Sequence, residues 1–577
     1  MKPVFRLLFQ QPFPCLLILI GAVGNVCADL FLPRLMADIV NSGVLQGNIP
    51  LIYEVGLRML CISAAGGLCA IVSSFFSARV SARVARELRG QLFAQVEQFS
   101  LQEIDQLGTA SLITRTTNDV IQIQTFLNMF LRIVIMAPIM AAGGILMALD
   151  IDRQLSNIIF LTIPVLVLLI VVVSRFVMPL SSSMQEKLDR VNLIMREKLT
   201  GIRVMRAFGT EAYEQQRFDG ANRDLTRTTL KMQRIMMGLM PALMLVLNLS
   251  IITLVGTGAR FVQEARIETG DIMAIIQYVM QILMSLMMIS MTFIILPRAQ
   301  ASASRISQVL DTPISIHTPD QPQKTGSTGE VHFEHVTFSY PGSPDPILRD
   351  VTFTAPAGKT TAIIGATGCG KSTLLNLIPR FYDVTQGQIL VGGVDVRQQD
   401  LALLREKIGY VPQKALLFSG SIADNIRFGN EEASEGEIRT AARIAQALDF
   451  VEEKPQGFHS PIARGGGNVS GGQRQRLAIA RAVVKRPALY LFDDSFSALD
   501  FKTDARLRQA LARETHGATT LIVAQRVSTI MHADLILVMQ EGSIVGSGTH
   551  EQLMQTCEVY REIAVSQHIP TDGKEEA

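Results

Sequence analysis

The sequence predicts an α-helical membrane region of six spans followed by a soluble α/β domain. Three observations carry that expectation. Six long apolar runs fall within the first 300 residues, the composition changes abruptly after Leu310, and a glycine-rich segment in the second half sits between an apolar strand and a helix. At 577 residues the chain exceeds one compact domain. Its apolar fraction of 48% and mean hydropathy of +0.29 are high for a soluble protein, and the excess lies in the first half.

The apolar runs lie near 13–40, 51–78, 126–149, 155–178, 235–261 and 272–296. Each is long enough to cross a bilayer, which takes about 20 helical residues. The gaps 41–50, 150–154 and 262–271 are short, whereas 79–125 and 179–234 are long and polar. The long gaps carry Arg79, Arg83, Arg86, Arg89, Arg115, Lys187, Arg190, Arg196, Lys198, Arg203 and Arg206; the short ones carry Asp150, Asp152, Glu264, Glu268 and Asp271. The positive-inside rule then places both long segments and both chain ends in the cytoplasm. No proline interrupts the stretch between Leu180 and Met240. Fifty helical residues reach about 75 Å, so the spans are expected to continue into the cytoplasm. Each segment turns once, around 99–108 and around 209–220, where it can press on a soluble domain.

Residues 1–310 are therefore assigned to the membrane domain, 311–329 to a linker rich in Pro, Thr, Gln and Gly, 330–566 to the α/β domain and 567–577 to a flexible tail. The N-terminus has no small-residue cleavage site ahead of the later apolar runs and is taken as retained membrane region. A net charge of +2 gives no bias toward nucleic acid. The eight histidines have no metal-ligand spacing, and the six cysteines form no zinc, redox or disulfide pattern.

The strongest motif runs Gly365, Ala366, Thr367, Gly368, Cys369, Gly370, Lys371, Ser372, Thr373, after the apolar strand 361–364 and at the start of a helix. This is the strand–loop–helix setting of a phosphate-binding P-loop. Glycines let backbone N–H groups close on phosphate oxygens, and the helix N-terminus adds positive potential. Lys371 reaches the β- and γ-phosphates, and the Ser372 hydroxyl suits Mg²⁺. Cys369 is read as a small filler, with redox sensing as the alternative. A second phosphate-binding end follows at Ser470, Gly471, Gly472 and Gln473, where Ser470 is a good N-cap for the helical run 474–484. One P-loop already cradles one nucleotide, so the spare end points to a nucleotide held by a second molecule.

At these residues the chain resembles the ATP-binding cassette family, in which Ser470–Gln473 would be the signature motif and two cassettes sandwich two ATPs head to tail. The resemblance covers nearly the whole chain. It implies that Tyr340 stacks on adenine, that Gln413 contacts Mg²⁺ and senses the membrane domain, that Asp493 holds Mg²⁺ through water, and that 497–500 faces the partner cassette. The segment 418–425 and the six-span layout look like the exporter-type half-transporters, with ATP and Mg²⁺ as cofactors and a second half-transporter chain as partner.

Two positions depart from the family pattern. Asp494 stands where the family carries the water-polarising glutamate, and Gln525 where it carries a switch histidine on the γ-phosphate. Asp494 is one methylene short, and Gln525 can donate a hydrogen bond but cannot carry charge. With an intact signature, this resembles the degenerate-site subunit of a heterodimeric multidrug exporter, whose partner has Glu and His and a degraded signature. Tolerated drift in a working homodimer is the alternative. The stretch 463–467 also lacks the family's glutamate, which puts its contact with coupling helices in doubt.

Asp29 in the first span and Gln277 and Gln281 on one face of the sixth are the residues expected on a substrate path, with a purely structural role as the alternative. Arg34 and Asp38, one helical turn apart, are expected to pair. Methionines in the last two spans suit either apolar binding or packing. The implied function is ATP-driven export of hydrophobic or amphipathic compounds (small molecules, peptides or lipids) across a bacterial cytoplasmic membrane. An exporter-shaped importer and an ATP-gated regulatory membrane protein are the other readings.

Overall fold

The structure is a computed structural model describing residues 1–323, 326, 328–515 and 517–567, with the side chains of 2 and 290–294 outside the description. Most of the expected tail, 568–577, therefore lies outside the described residues. The chain divides into two compact units, residues 1–97 with 110–311, and residues 98–109 with 312–577.

The first unit is helical. Six helices among its described residues are long and apolar enough to cross a membrane: Pro12–Val44, Ile49–Glu97, Thr109–Ile151, Arg153–Thr200, Glu211–Gln263 and Thr269–Ile289. Only 11–39% of the residues in each apolar window are buried, so most of that apolar surface faces outward, which hydrocarbon tolerates and water does not. The helices Ile49–Glu97, Arg153–Thr200 and Glu211–Gln263 hold 49, 48 and 53 residues and pass unbroken from apolar into polar sequence. The second expected turn falls at Gly209, in the left-handed region at φ 63°, and Thr210; Gly220 lies inside the following helix.

Where helices face each other, large aliphatics interlock. Leu155, Ile159 and Leu166 meet Leu243, Leu247, Leu254 and Tyr278 in one buried cluster. Polar groups trapped there are paired: Thr162 and Ser250 hydroxyls lie 2.8 Å apart, and the Tyr278 hydroxyl donates to the Leu30 carbonyl at 2.9 Å. Buried Asp119 accepts from Ser302 at 3.0 Å and pairs with Arg305. At the short gaps, Asp152 caps the helix Arg153–Thr200 by accepting from Leu155 N–H at 2.8 Å and pairs with Arg266 at 2.9 Å. Arg34 does not pair with Asp38 as its spacing suggests. It bonds Asp150 at 2.7 Å, because the guanidinium reaches a neighbouring helix end instead of its own next turn.

Among its described residues the second unit contains twelve strands: β1 Val331–Phe338, β2 Leu348–Ala355, β3 Thr360–Gly365, β4 Gln386–Val391, β5 Val394–Asp395, β6 Ile408–Val411, β7 Gly420–Ser421, β8 Pro461–Ile462, β9 Leu489–Asp493, β10 Thr519–Val523, β11 Leu535–Gln540 and β12 Ser543–Gly548. A four-stranded antiparallel sheet runs β2-β1-β4-β5, and a six-stranded sheet runs β12-β11-β3-β10-β9-β6. In the larger sheet β11, β3, β10, β9 and β6 are parallel, with β12 antiparallel at one edge. The near-complete burial of β3 and β9 follows from cover on both faces, helices on one and the antiparallel sheet with the helix Lys371–Leu377 on the other.

The segment 98–109 belongs to this unit. Its helix Leu101–Leu107 starts with a capping box, Ser100 and Glu103 each bonding the other's backbone end. Glu103 also accepts from Ser315 N–H at 3.3 Å, and Asp105 accepts the Tyr382 hydroxyl at 2.8 Å. Burial together with that bond to Asp105 raises the Tyr382 phenol far above its usual range.

Candidate nucleotide site

Parallel order does the assembling. Strands β3, β10, β9 and β6 lie side by side, so the segments leaving their C-terminal ends emerge together, the edge where open α/β sheets hold ligands. Those segments carry the P-loop after β3, Gln525 after β10, Asp493 and Asp494 at the end of β9, and Gln413 after β6.

The P-loop is shaped by its glycines. Gly368 and Gly370 take φ +87° and +99°, conformations that disfavour any side chain. A Cβ at Gly365 would collide with the Met539 carbonyl oxygen. Lys371 is buried and donates to the Gly365 and Ala366 carbonyls at 2.8 and 2.7 Å, with Cys369 Sγ at 3.7 Å. Ser372 donates its hydroxyl to Asp493 Oδ1 at 2.8 Å. Burial pushes the Asp493 carboxyl up; the Ser372 bond opposes this and the neighbouring charge of Asp494 adds to it.

Asp494 adopts φ +45°, uncommon for a residue with a side chain, and its N–H bonds the Val523 carbonyl at 3.0 Å. Its Oδ2 accepts both the Gln413 amide at 3.2 Å and the Gln525 amide at 2.7 Å. Three residues picked separately from the sequence thus form one cluster. Ser372 and Asp493 offer hydroxyl and carboxylate oxygens, and Gln413 has an amide oxygen on the group it turns toward Asp494. That hard-oxygen set suits Mg²⁺ bound partly through phosphates and water. Among the described residues no group of three or more His, Cys, Asp or Glu forms a metal cage.

Tyr340 is half-buried, edge-on to Phe338 and Tyr382 with centroids 4.9 and 5.2 Å apart, and its hydroxyl lies 3.1 Å from that of Thr373. Ser470 caps the helix Gly471–Val484. It accepts from Gln473 N–H at 3.2 Å, while Gln473 Oε1 accepts from Ser470 N–H at 3.1 Å. Ser470 and Gly471 are exposed, and their hydrogen bonds stay within their own turn. Asp500 likewise caps the helix Phe501–Glu514, and the Thr503 N–H lowers its carboxyl.

In the membrane unit, Gln281 donates to the Asp29 carbonyl at 2.9 Å and its own buried Oε1 finds no partner among the described residues, while Gln277 is exposed. Sequence reasoning missed Gln475, a buried side chain that donates to the Pro412 carbonyl at 3.3 Å and braces the Gln413 segment. It also missed Gln567, which it placed in the tail. Neither belongs to a motif with a periodic or spacing signal.

A P-loop ATP-binding domain behind six apolar helices defines an ATP-coupled membrane transporter. Residues 15–286 match the family description "ABC transporter transmembrane region", and residues 348–497 match "ABC transporter". An ABC transporter ATP-binding protein of Mycobacterium tuberculosis is 41% identical over 550 residues, 94% of each chain. An ATP-dependent lipid A-core flippase of Pseudomonas aeruginosa is 34% identical over 508 residues, 88% of this chain and 84% of that one. The solved structure of a bacterial Atm1-family ABC exporter with ATP bound superposes with a TM-score of 0.80 at 26% identity, covering 99% of both chains. The chain belongs to the ABC transporter family and has the exporter-type fold.

Proposed function

We propose that this chain is one half of a heterodimeric ATP-driven exporter, seated in a bacterial cytoplasmic membrane with its cassette and both termini in the cytoplasm. It binds Mg·ATP at its own weakened site and lends Ser470–Gln473 to the partner's site, where most hydrolysis occurs. The observation carrying this reading is the state of Asp494. Its shortened side chain has one carboxylate oxygen engaged by both Gln413 and Gln525. A general base contributes about 10²–10⁴-fold. A shorter carboxylate, flanked by two neutral amides where a histidine would bring a titratable ring, is a poor one.

In this scheme Lys371 and the P-loop amides hold the phosphates, Ser372 and Asp493 hold Mg²⁺, and Tyr340 holds the base. Mg²⁺ draws charge from the phosphates when bound. Gln413 carries the nucleotide state toward the cytoplasmic helices. The charge asymmetry of the long and short gaps supports the orientation. The amphipathic substrate, lipid-like compounds foremost, is supported by the likeness to a lipid A-core flippase and by the methionines of the last two spans. Asp29, Gln277 and Gln281 are assigned to its path. Purified chain, alone and with a co-expressed half-transporter carrying Glu and His, is assayed for ATPase. Turnover of the lone chain equal to that of the pair excludes the asymmetric reading.

A further inference from the structure

The segment after Gln525 leads into the short helix Val527–Ile530, whose N-cap residue Arg526 makes no side-chain cap bond. Its first N–H is satisfied from far along the chain. Gln567, just past the helix Glu558–Ser566, accepts from Val527 N–H at 2.8 Å and donates to the Gln525 carbonyl at 2.7 Å. One amide therefore grips the loop on both sides of Arg526, as a strand would. The gripping helix is itself fixed: Tyr560 and Ala564 are fully buried in the same cluster as Val527 and Ile530, and the Tyr560 hydroxyl lies 2.7 Å from His550 Nδ1. Beyond the grip, the Gln525 side chain bonds Asp494, and the Arg526 guanidinium stacks over Phe501, 4.8 Å from the ring centre.

We propose that Gln567 is a positioning residue for the switch at Gln525, tying the C-terminal helix to the loop that meets the end of the bound nucleotide. Among the described residues the pairing of β10 ends at Val523, so the backbone at 525–527 lies beyond the ladder. Without the clamp the loop loses two hydrogen bonds, and the Gln525 amide loses the fixed anchor from which it reaches Asp494.

The test uses the full-length chain in lipid nanodiscs, with its partner half-transporter if one co-purifies. Hydrogen exchange over 525–530 is compared in wild type, Gln567→Ala and Gln567→Glu, together with the ratio of ATP to ADP affinity read by displacement of a fluorescent nucleotide. Gln567→Ala is expected to speed exchange at Val527 about tenfold, leave the P-loop unchanged and lower the ATP-over-ADP ratio about fivefold. Gln567→Glu keeps the acceptor and loses the donor, so Val527 stays protected while the ratio still falls. Unchanged exchange in Gln567→Ala, or an equal rise across the whole cassette, overturns the proposal. The ratio arm rests on the reading that Gln525 meets the γ-phosphate, and Gln525→Ala separates the two. If that variant lowers the ratio and Gln567→Ala does not, the clamp fails. If Gln525→Ala leaves the ratio unchanged, the γ-phosphate reading fails and the exchange result alone decides the clamp.

Discussion

Gln525 donates its side-chain amide to Oδ2 of Asp494 at 2.7 Å, the same oxygen that takes the Gln413 amide at 3.2 Å. A carboxylate oxygen already accepting two donors has fewer free lone pairs with which to align an attacking water. Lengthening the acid and supplying an ionisable partner reverses both deficits. Asp494→Glu with Gln525→His is expected to raise phosphate release at this site by about 10–100-fold, within the usual range for a general base. A double variant no faster than wild type in a malachite-green assay removes the impaired-site reading.

The hydroxyl of Ser372 joins Asp493, whose carboxyl is buried and held above its ordinary value. A raised carboxyl contributes stability to the nucleotide-free fold that is fully present below the unfolded value and is lost as pH rises through the folded one. Wherever it is ionised, the carboxylate is therefore a cost to the nucleotide-free fold. Asp493→Asn should raise the melting temperature of the nucleotide-free protein. It should also abolish the extra thermal protection that Mg·ATP gives over ATP with EDTA. Scanning calorimetry at pH 7 checks both signs. A variant that melts lower without nucleotide contradicts the account.

Tyr340 presents its ring beside Tyr382 and anchors its hydroxyl at Thr373. If the ring stacks on adenine, Tyr340→Ala should weaken ATP binding about tenfold, since base–aromatic stacking is worth roughly 1–3 kcal/mol. Tyr340→Phe, which keeps the ring and drops only the hydroxyl, should stay within about threefold. Equal losses in both variants, measured by equilibrium binding, point to the Thr373 bond instead of the ring.

Ser470 and Gln473 close a capping box at an exposed helix start. Ser470→Ala removes a cap worth about 1 kcal/mol, a small effect on folding. In the head-to-tail scheme it should cut ATP turnover of the assembled pair more than tenfold while leaving ATP affinity at this chain's own P-loop unchanged. A fall in own-site affinity with normal turnover would place the motif on the wrong nucleotide.

Local signals carried the architecture well. Apolar run length marked the six spans because crossing hydrocarbon demands an uninterrupted stretch, and helix formation satisfies the backbone within each run. The strand–loop–helix around Lys371 was legible because phosphate binding needs small residues at fixed offsets. Pairings between distant elements were not. Spacing favoured Arg34 with Asp38, yet the guanidinium lies on Asp150 of another helix end. Gln475 and Gln567 carry no local signature, since each acts on a backbone segment 40 or more positions away.

Taken alone, the amino-acid order determined which segments are apolar, where the phosphate loop lies, and that positions 494 and 525 depart from the family's residues. Only the folded arrangement decided that Gln413, Asp493, Asp494 and Gln525 meet. That convergence depends on β6, β9, β10 and β3 lying in parallel as neighbours, and strand order is set by packing the whole sheet between its covering layers. No single segment encodes its neighbour, so the site emerges where four strand ends share one edge.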